Sequence, residues 1–273
     1  MKSYLRMLPP LQWLSALSAV LGGILQTVCI FRYLEDGSNY FLTGAILPGI
    51  AVGLCILSLA LGTVAAATTK PEQLAKTIFS NRPIRCTPTV GFLAPAIALL
   101  FYEEKKLSVL TAFFLLLAVA YALFVNTPKL RRYTVPTALL GFATVAACAL
   151  LNAYFYFDVS VEMNAPIKTA LQAGLLASML YFTGELRYLL GTPRPRIFLA
   201  MCSWVVALGS LTAIAFPISY FCGEFSRADY GAGALLMLFM VMTAFAQIIR
   251  LYNPPAHDEK QPESAPDSER NPT

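Results

Sequence analysis

Residues 107–157 are LSVLTAFFLLLAVAYALFVNTPKLRRYTVPTALLGFATVAACALLNAYFYF, and this stretch decides the fold. It contains two apolar runs, 107–125 and 136–157, separated by a polar segment with Lys129, Arg131 and Arg132. Roughly 20 apolar residues cross a bilayer as a helix, and a backbone in hydrocarbon must satisfy its hydrogen bonds internally. The stretch therefore predicts a transmembrane hairpin whose basic connection faces the cytoplasm.

Six more apolar runs lie on either side of this hairpin. The eight predicted spans are 11–31, 44–67, 88–102, 107–125, 136–157, 167–189, 197–221 and 232–250. Hydrophobic residues make up 57% of the chain and charged residues 13%, with a mean hydropathy of +0.63. A soluble domain has about 25% charged residues, so lipid must solvate much of this surface. We predict an all-α, polytopic integral membrane bundle of eight transmembrane helices.

Lys and Arg residues are concentrated in or beside every second connection between the spans. Fifteen of the 20 share the side of the N terminus, and the other five are Arg32, Lys105, Lys106, Lys168 and Arg227. Short loops rich in Lys and Arg stay in the cytoplasm, which predicts cytoplasmic N and C termini and a cell-membrane location. The net charge of +5 suits an anionic inner leaflet and needs no nucleic-acid partner.

The chain divides into a membrane domain and a polar tail. Residues 1–253 form the predicted transmembrane domain, and residues 254–273 contain no large apolar side chain. Such a tail cannot bury enough apolar surface to offset its chain entropy, so we expect it to be disordered. In the connection 68–87, Thr69 and Glu72 have the spacing of a capping box, which predicts a short interfacial helix carrying Leu74 and Ile78 on one face.

The residues of common catalytic sites are missing from the predicted spans. The single histidine, His257, lies in the tail, which argues against intramembrane zinc chemistry and against a Ser–His nucleophile. We expect no enzyme activity, no metal and no cofactor. The six cysteines have no close spacing and are typical of small buried apolar residues; whether Cys29 and Cys222, both near the outer face, form a disulfide is left open.

Glu185 is the most informative single residue, because it is an ionisable group inside a predicted span. Such residues are either functional or paired with a basic group. Since Glu185 lies about one turn from the inner boundary, an interfacial ion pair with Arg250, Arg194 or Arg196 competes with a substrate or proton site. Arg187 is two positions away, a spacing that does not bring side chains together on a helix.

Spans five to eight resemble two tandem hairpins of equal length, 135–190 and 197–252. At equivalent positions in them stand Glu185 and Gln247. The candidate ligand-binding residues are these two and the deeper amides Asn152 and Gln172. Buried amides commonly form hydrogen bonds between helices.

Two functions fit this sequence. The first is a small permease or transport-system subunit that binds a neutral or weakly polar solute between its helices, as the third span, short and containing Pro88 and Pro95, suggests. The second is a non-transporting sensor or assembly module that acts through a protein partner or as a homo-oligomer. A polar cavity at mid-depth lined by Asn152, Gln172 or Gln26 favours the first, and a solid apolar core favours the second.

Overall fold

The computed structural model describes residues 8–34, 40–42, 44–75, 78–79, 87–101, 106–131, 133–162, 165–222 and 228–253. The predicted disordered tail, 254–273, lies outside the described residues. The eight long helices are α1 (Pro10–Tyr33), α2 (Ile46–Thr68), α3 (Thr87–Phe101), α4 (Lys106–Asn126), α5 (Thr134–Phe157), α6 (Pro166–Leu189), α7 (Pro195–Phe221) and α8 (Ala228–Tyr252). Each of the eight predicted spans falls on one of these helices.

Six of these helices, α1, α2, α4, α5, α7 and α8, are long and apolar enough to cross a membrane. They fit a helical membrane bundle. The other two differ for separate reasons. Helix α3 has only 15 residues, whereas α6 is long but has Lys168, Glu185 and Arg187 in its sequence, which lower its mean hydropathy.

Six helices form a closed ring. From α3 to α8, each helix packs against the next one in the sequence, and α8 packs back against α3. Helices joined by short connections run antiparallel, so their ends alternate between the two ends of the bundle. We call the end with Lys70, Arg187 and Arg196 the basic end, and the end with Asp158 and Asp229 the acidic end.

The first two helices lie outside the ring and pack on α7. Polar side chains hold them there: Gln12 Nε2 donates to Ser203 Oγ at 2.9 Å, and Trp204 Nε1 donates to Thr63 Oγ1 at 2.9 Å. Between α1 and α2, the Ser15 hydroxyl donates to the Ser58 carbonyl at 2.8 Å, and the Ser58 hydroxyl donates to the Ser15 carbonyl at the same distance. Hydrogen bonds of this kind join helices within a bilayer, where hydrophobic burial provides little drive.

Small residues allow α1 and α2 to approach α7 closely. A Cβ atom at Gly23 would lie 2.6 Å from the Ser210 carbonyl oxygen, and one at Gly62 would lie 2.6 Å from Ser203 Cβ. By contrast, a Cβ at Gly49 or Gly53 of α2 would meet nothing within 4 Å. The Gly49-x-x-x-Gly53 spacing therefore does not form a packing seam with any described part of the chain.

The predicted interfacial helix after α2 is wrong for the described residues of that connection. Only Pro71–Gln73 form a single 3₁₀ turn there, and Leu74 and Ile78 are buried in the hydrophobic core. Neighbouring helices satisfy the backbone instead, since Ala75 N–H donates to the Leu251 carbonyl at 2.8 Å. The Thr69 hydroxyl donates back to the Ala65 carbonyl of α2 at 2.7 Å, so it does not begin a new helix.

These contacts predict that Gly23→Ala will destabilise the protein and that Gly53→Ala will not. The added methyl at position 23 meets a backbone oxygen that cannot rotate away, and overpacking of this kind costs about 1–3 kcal/mol. At position 53 the methyl has open space, and alanine favours a helix over glycine. Denaturant-induced unfolding of the purified variants in mixed micelles measures both, and equal stability of the two variants would contradict the packing.

Candidate functional site

A small cavity, whose wall is mostly apolar but includes Glu185 and Gln247, lies inside the ring near its basic end. Its wall comes from α4, α6 and α8, which are alternate members of the ring, so their side chains meet only in the interior. The lining residues are Tyr121, Ala122, Val125, Asn126, Tyr181, Phe182, Glu185, Thr243 and Gln247. The volume of about 20 Å³ is enough for one water-sized occupant.

Helical spacing explains why these side chains face one another. Residues four positions apart lie on the same face of a helix. The wall includes four such pairs: Tyr121 with Val125, Ala122 with Asn126, Tyr181 with Glu185, and Thr243 with Gln247. The Thr243 hydroxyl donates to the Phe239 carbonyl of its own helix at 2.7 Å.

The Glu185 carboxylate connects two helices across the ring. Tyr121 of α4 donates its phenolic hydrogen to Glu185 Oε2 of α6 at 3.3 Å, and Glu185 is only 6% exposed. A carboxylate at this depth requires partners, because an isolated charge in a low-dielectric interior is costly. Arg196 is one of the three basic residues expected to pair with Glu185. It donates its Nε hydrogen to the Thr69 carbonyl at 2.6 Å.

Gln247, in the wall of the same cavity, has a buried hydrogen-bond acceptor that is unsatisfied by the described residues. Its side chain is 2% exposed, and its Oε1 atom receives no hydrogen bond from the described residues. Leaving a buried acceptor unsatisfied costs about 1–3 kcal/mol. The unsatisfied Oε1 atom of Gln247 is therefore a destabilising feature of this region in the described structure.

Packed aromatic rings lie next to this cavity inside the ring. The ring centroid of Phe182 lies 5.5 Å from that of Phe92 on α3 and 6.2 Å from that of Tyr121 on α4. Phe92 is fully buried and Phe182 is 2% exposed. In the described structure, these side chains fill the interior beside the cavity.

A second buried polar cluster lies at the acidic end. Lys168, only 1% exposed, donates from Nζ to the carbonyls of Asp158 at 2.7 Å and Val161 at 3.1 Å. The Asp158 carboxylate accepts a hydrogen bond from the Tyr230 hydroxyl at 3.2 Å, and Asp229 accepts one from Tyr154 at 3.1 Å. These bonds tie the ends of α5, α6 and α8 together.

The structure brings two of the four candidate residues together. Glu185 and Gln247, at equivalent positions of the two tandem hairpins, line one cavity, whereas Asn152 and Gln172 are half-buried outside it. Sequence reasoning missed Tyr121, which lies within an apolar span and carries no charge that would single it out. It also placed Lys168 at the outer edge of a span, although the side chain is buried.

The cysteines show no redox or metal arrangement among the described residues. Cys29 and Cys222 are both free, so they do not form the disulfide that the sequence left open. No group of three His, Cys, Asp or Glu side chains in the described part of the chain is arranged to hold a metal ion. A larger recess of about 260 Å³ between α3, α7 and α8 has an apolar wall and offers no charged group for specificity.

No protein family, curated protein or solved structure matches this chain. The arrangement of its own residues therefore carries the functional argument.

We expect Tyr121→Phe to lower the free energy of unfolding by about 1–3 kcal/mol, because the buried carboxylate loses a donor. Tyr156→Phe is the matched control, since Tyr156 is 47% exposed on α5. Unfolding in mixed micelles measures both variants, and a double-mutant cycle with Glu185→Gln isolates the coupling. A loss that is the same in both tyrosine variants, or an absent coupling, would contradict the bond across the ring.

Proposed function

We propose that the chain crosses the cytoplasmic (plasma) membrane eight times, with both termini in the cytoplasm and the basic end next to anionic lipid. Helix α6 is compatible with a crossing because its charged Lys168 and Glu185 are buried in protein, which avoids the cost of exposing them to lipid. Helix α3 is about 22 Å long at 1.5 Å per residue, somewhat short of a bilayer core of about 30 Å. Its place between α4 and α8 supports a short, locally accommodated crossing.

Within that topology, we propose that the protein is a small permease-like subunit that binds a weakly polar solute in the ring interior. The observation that carries this proposal is the bond from Tyr121 to Glu185 beside the cavity. It joins two helices that are not neighbours in the ring, so a change at this site alters how the ring closes. Polar side chains between helices near a membrane-embedded cavity are typical of transport sites.

The second polar cluster supports the same role. Buried charged groups lie at both ends of the ring, Glu185 at one and Asp158 with Lys168 at the other. Between them the described interior contains apolar side chains such as Leu175 and Met237. A permease must move its helices to open this apolar middle, whereas a packed apolar core with Asn152 and Gln172 outside the cavity favours the module.

The alternative is a non-transporting sensor or assembly module that acts through a protein partner or a second copy. The observation in its favour is the small volume of the cavity, about 20 Å³, which holds no organic solute without movement of the helices. On either proposal the protein is not an enzyme.

Cysteine accessibility separates the two proposals and tests the topology. In a background where Cys86 and Cys222 are replaced by serine, we would place single cysteines at Val159, which is 93% exposed at the acidic end, and at exposed Thr192, at the basic end. We expect a membrane-impermeant maleimide to label Val159→Cys in intact cells and Thr192→Cys only in inverted vesicles.

The cavity position is Ala122→Cys, and Ala19→Cys is its buried control outside the ring. If the ring opens, Ala122→Cys reacts from at least one side while Ala19→Cys does not. A cavity cysteine that stays unreactive from both sides would reject the permease and favour the module.

Labelling of Val159→Cys and Thr192→Cys from the same side would reject the eight-span topology.

A further inference from the structure

The recess between α3, α7 and α8 lies near the acidic end of the bundle. Its wall comes from the last part of α3, the last part of α7 and the first part of α8, which all lie at that end. The lining residues are Ala94, Ile97, Ala98, Pro217, Tyr220, Phe221, Gly231, Ala232 and Leu235. None of these residues is charged, and the volume is about 260 Å³.

The sequence forms this recess by placing small residues between large ones. Helices α3 and α7 each pack against α8, so α8 forms the floor between them, and Gly231 and Ala232 are part of that floor. A Cβ atom at Gly231 would lie 3.2 Å from Tyr220 Cδ2, so the glycine allows the tyrosine ring to lie against α8. The recess therefore has a floor with small side chains and an aromatic side wall.

The recess is continuous with the surface that faces lipid. Beside it on α3, Phe101 is 88% exposed, and on α7 Ile218 is 44% exposed and Phe221 80%. Large apolar side chains with this exposure need an apolar surrounding, which for a bundle of apolar helices is the bilayer. Lipid chains are therefore the molecules that meet this part of the surface.

The volume of the recess distinguishes a lipid chain from a helix. An engineered apolar cavity of about 150 Å³ binds benzene, so about 260 Å³ has room for a hydrocarbon chain of roughly ten carbon atoms. One turn of a helix about 10 Å wide and about 5.4 Å high occupies roughly 400 Å³, so the helix of another protein does not fit. Water is disfavoured, because an apolar wall offers it no hydrogen bonds.

We propose that this recess binds one acyl chain of a membrane phospholipid, between α3 and α7 on the surface of α8. The headgroup of that lipid lies at the acidic end, where Tyr220 and Phe221 have the position of interfacial aromatic residues. The short α3 favours this binding, because a span shorter than the hydrocarbon core deforms the lipid next to it. The inference goes beyond the proposed function and holds for a permease and for a module alike.

Photolabelling of the full chain tests this proposal. The probe is a phosphatidylcholine with a diazirine in one acyl chain, titrated into micelles of the purified protein, and mass spectrometry locates the label. Ile97 in the recess and Ile50 on α2 are matched positions, because each lies four residues from the acidic end of its helix and their exposed fractions are 45% and 47%. Lipid that only surrounds the protein labels both residues equally.

Close packing sets the size of the expected difference. An acyl chain is surrounded by apolar groups in the bilayer as well as in the recess, so additional contacts must select the bound position. Each carbon–carbon contact is weak, but about ten additional contacts give roughly a tenfold preference. We therefore expect labelling of Ile97 to exceed that of Ile50 about tenfold at low lipid content and then to saturate. Labelling of Ile50 should rise in proportion to the lipid added.

Variants that fill the recess provide the control. Ala98→Phe adds a ring at the wall of the recess, and Ala60→Phe adds the same ring at an exposed position of α2. The excess labelling of Ile97 should disappear in Ala98→Phe and remain in Ala60→Phe. If Ala98→Phe does not fold, the saturation curves of the wild type decide, since they need no variant.

Equal labelling of Ile97 and Ile50 at every lipid content, or excess labelling that survives in folded Ala98→Phe, would overturn the acyl-chain site. A wild type that sediments as a dimer and becomes monomeric in Ala98→Phe would also overturn it, because a second copy would then cover the recess. These results do not affect the accessibility of Ala122→Cys, which decides separately between the permease and the module.

Discussion

The contact between α3 and α8 is the constraint on which the rest of the structure depends. Consecutive helices of a membrane protein pack side by side with little difficulty, but a row of six becomes a ring only if the first meets the last. Gly91 of α3 permits this, because a Cβ added there would lie 3.0 Å from Phe239 Cβ of α8. Without the contact, the polar residues of α4, α6 and α8 would line an open groove instead of an interior.

Closure of the ring also explains how a charged helix is tolerated in the bundle. Helix α6 contains Lys168 at one end and Glu185 near the other, and both side chains are buried. Each is satisfied by groups from other parts of the ring, Lys168 by carbonyls after α5 and Glu185 by the Tyr121 hydroxyl. The charged side chains of α6 are thereby kept inside the bundle, where the low dielectric strengthens their interactions.

The sequence predicted the helices well because the signals that define them are local. The length of each apolar run placed the helix boundaries to within a few residues. The order of helices in the ring was not predictable, because periodicity identifies a buried face and not the neighbour that buries it. Glu185 was found as an ionisable group inside a predicted span and Gln247 as its equivalent in the second hairpin, but Tyr121, which donates a hydrogen bond to Glu185, belongs to a helix outside that repeat. The prediction of an interfacial helix was wrong because Leu251 and Arg196 form hydrogen bonds with the backbone of the connection after α2.

Cross-linking of α3 to α8 tests the closed ring most directly. Cysteines at Gly91 and Phe239 place their Cβ atoms close to the 3.5–4.5 Å separation of a disulfide after a small adjustment of the helices. With a protease site inserted after Val159, the account predicts that the two fragments of the oxidised Gly91→Cys/Phe239→Cys variant stay joined until they are reduced. The fragments of Gly53→Cys/Phe239→Cys should separate at once. Separation of the fragments in both variants, in protein that is folded and oxidised, would contradict the ring.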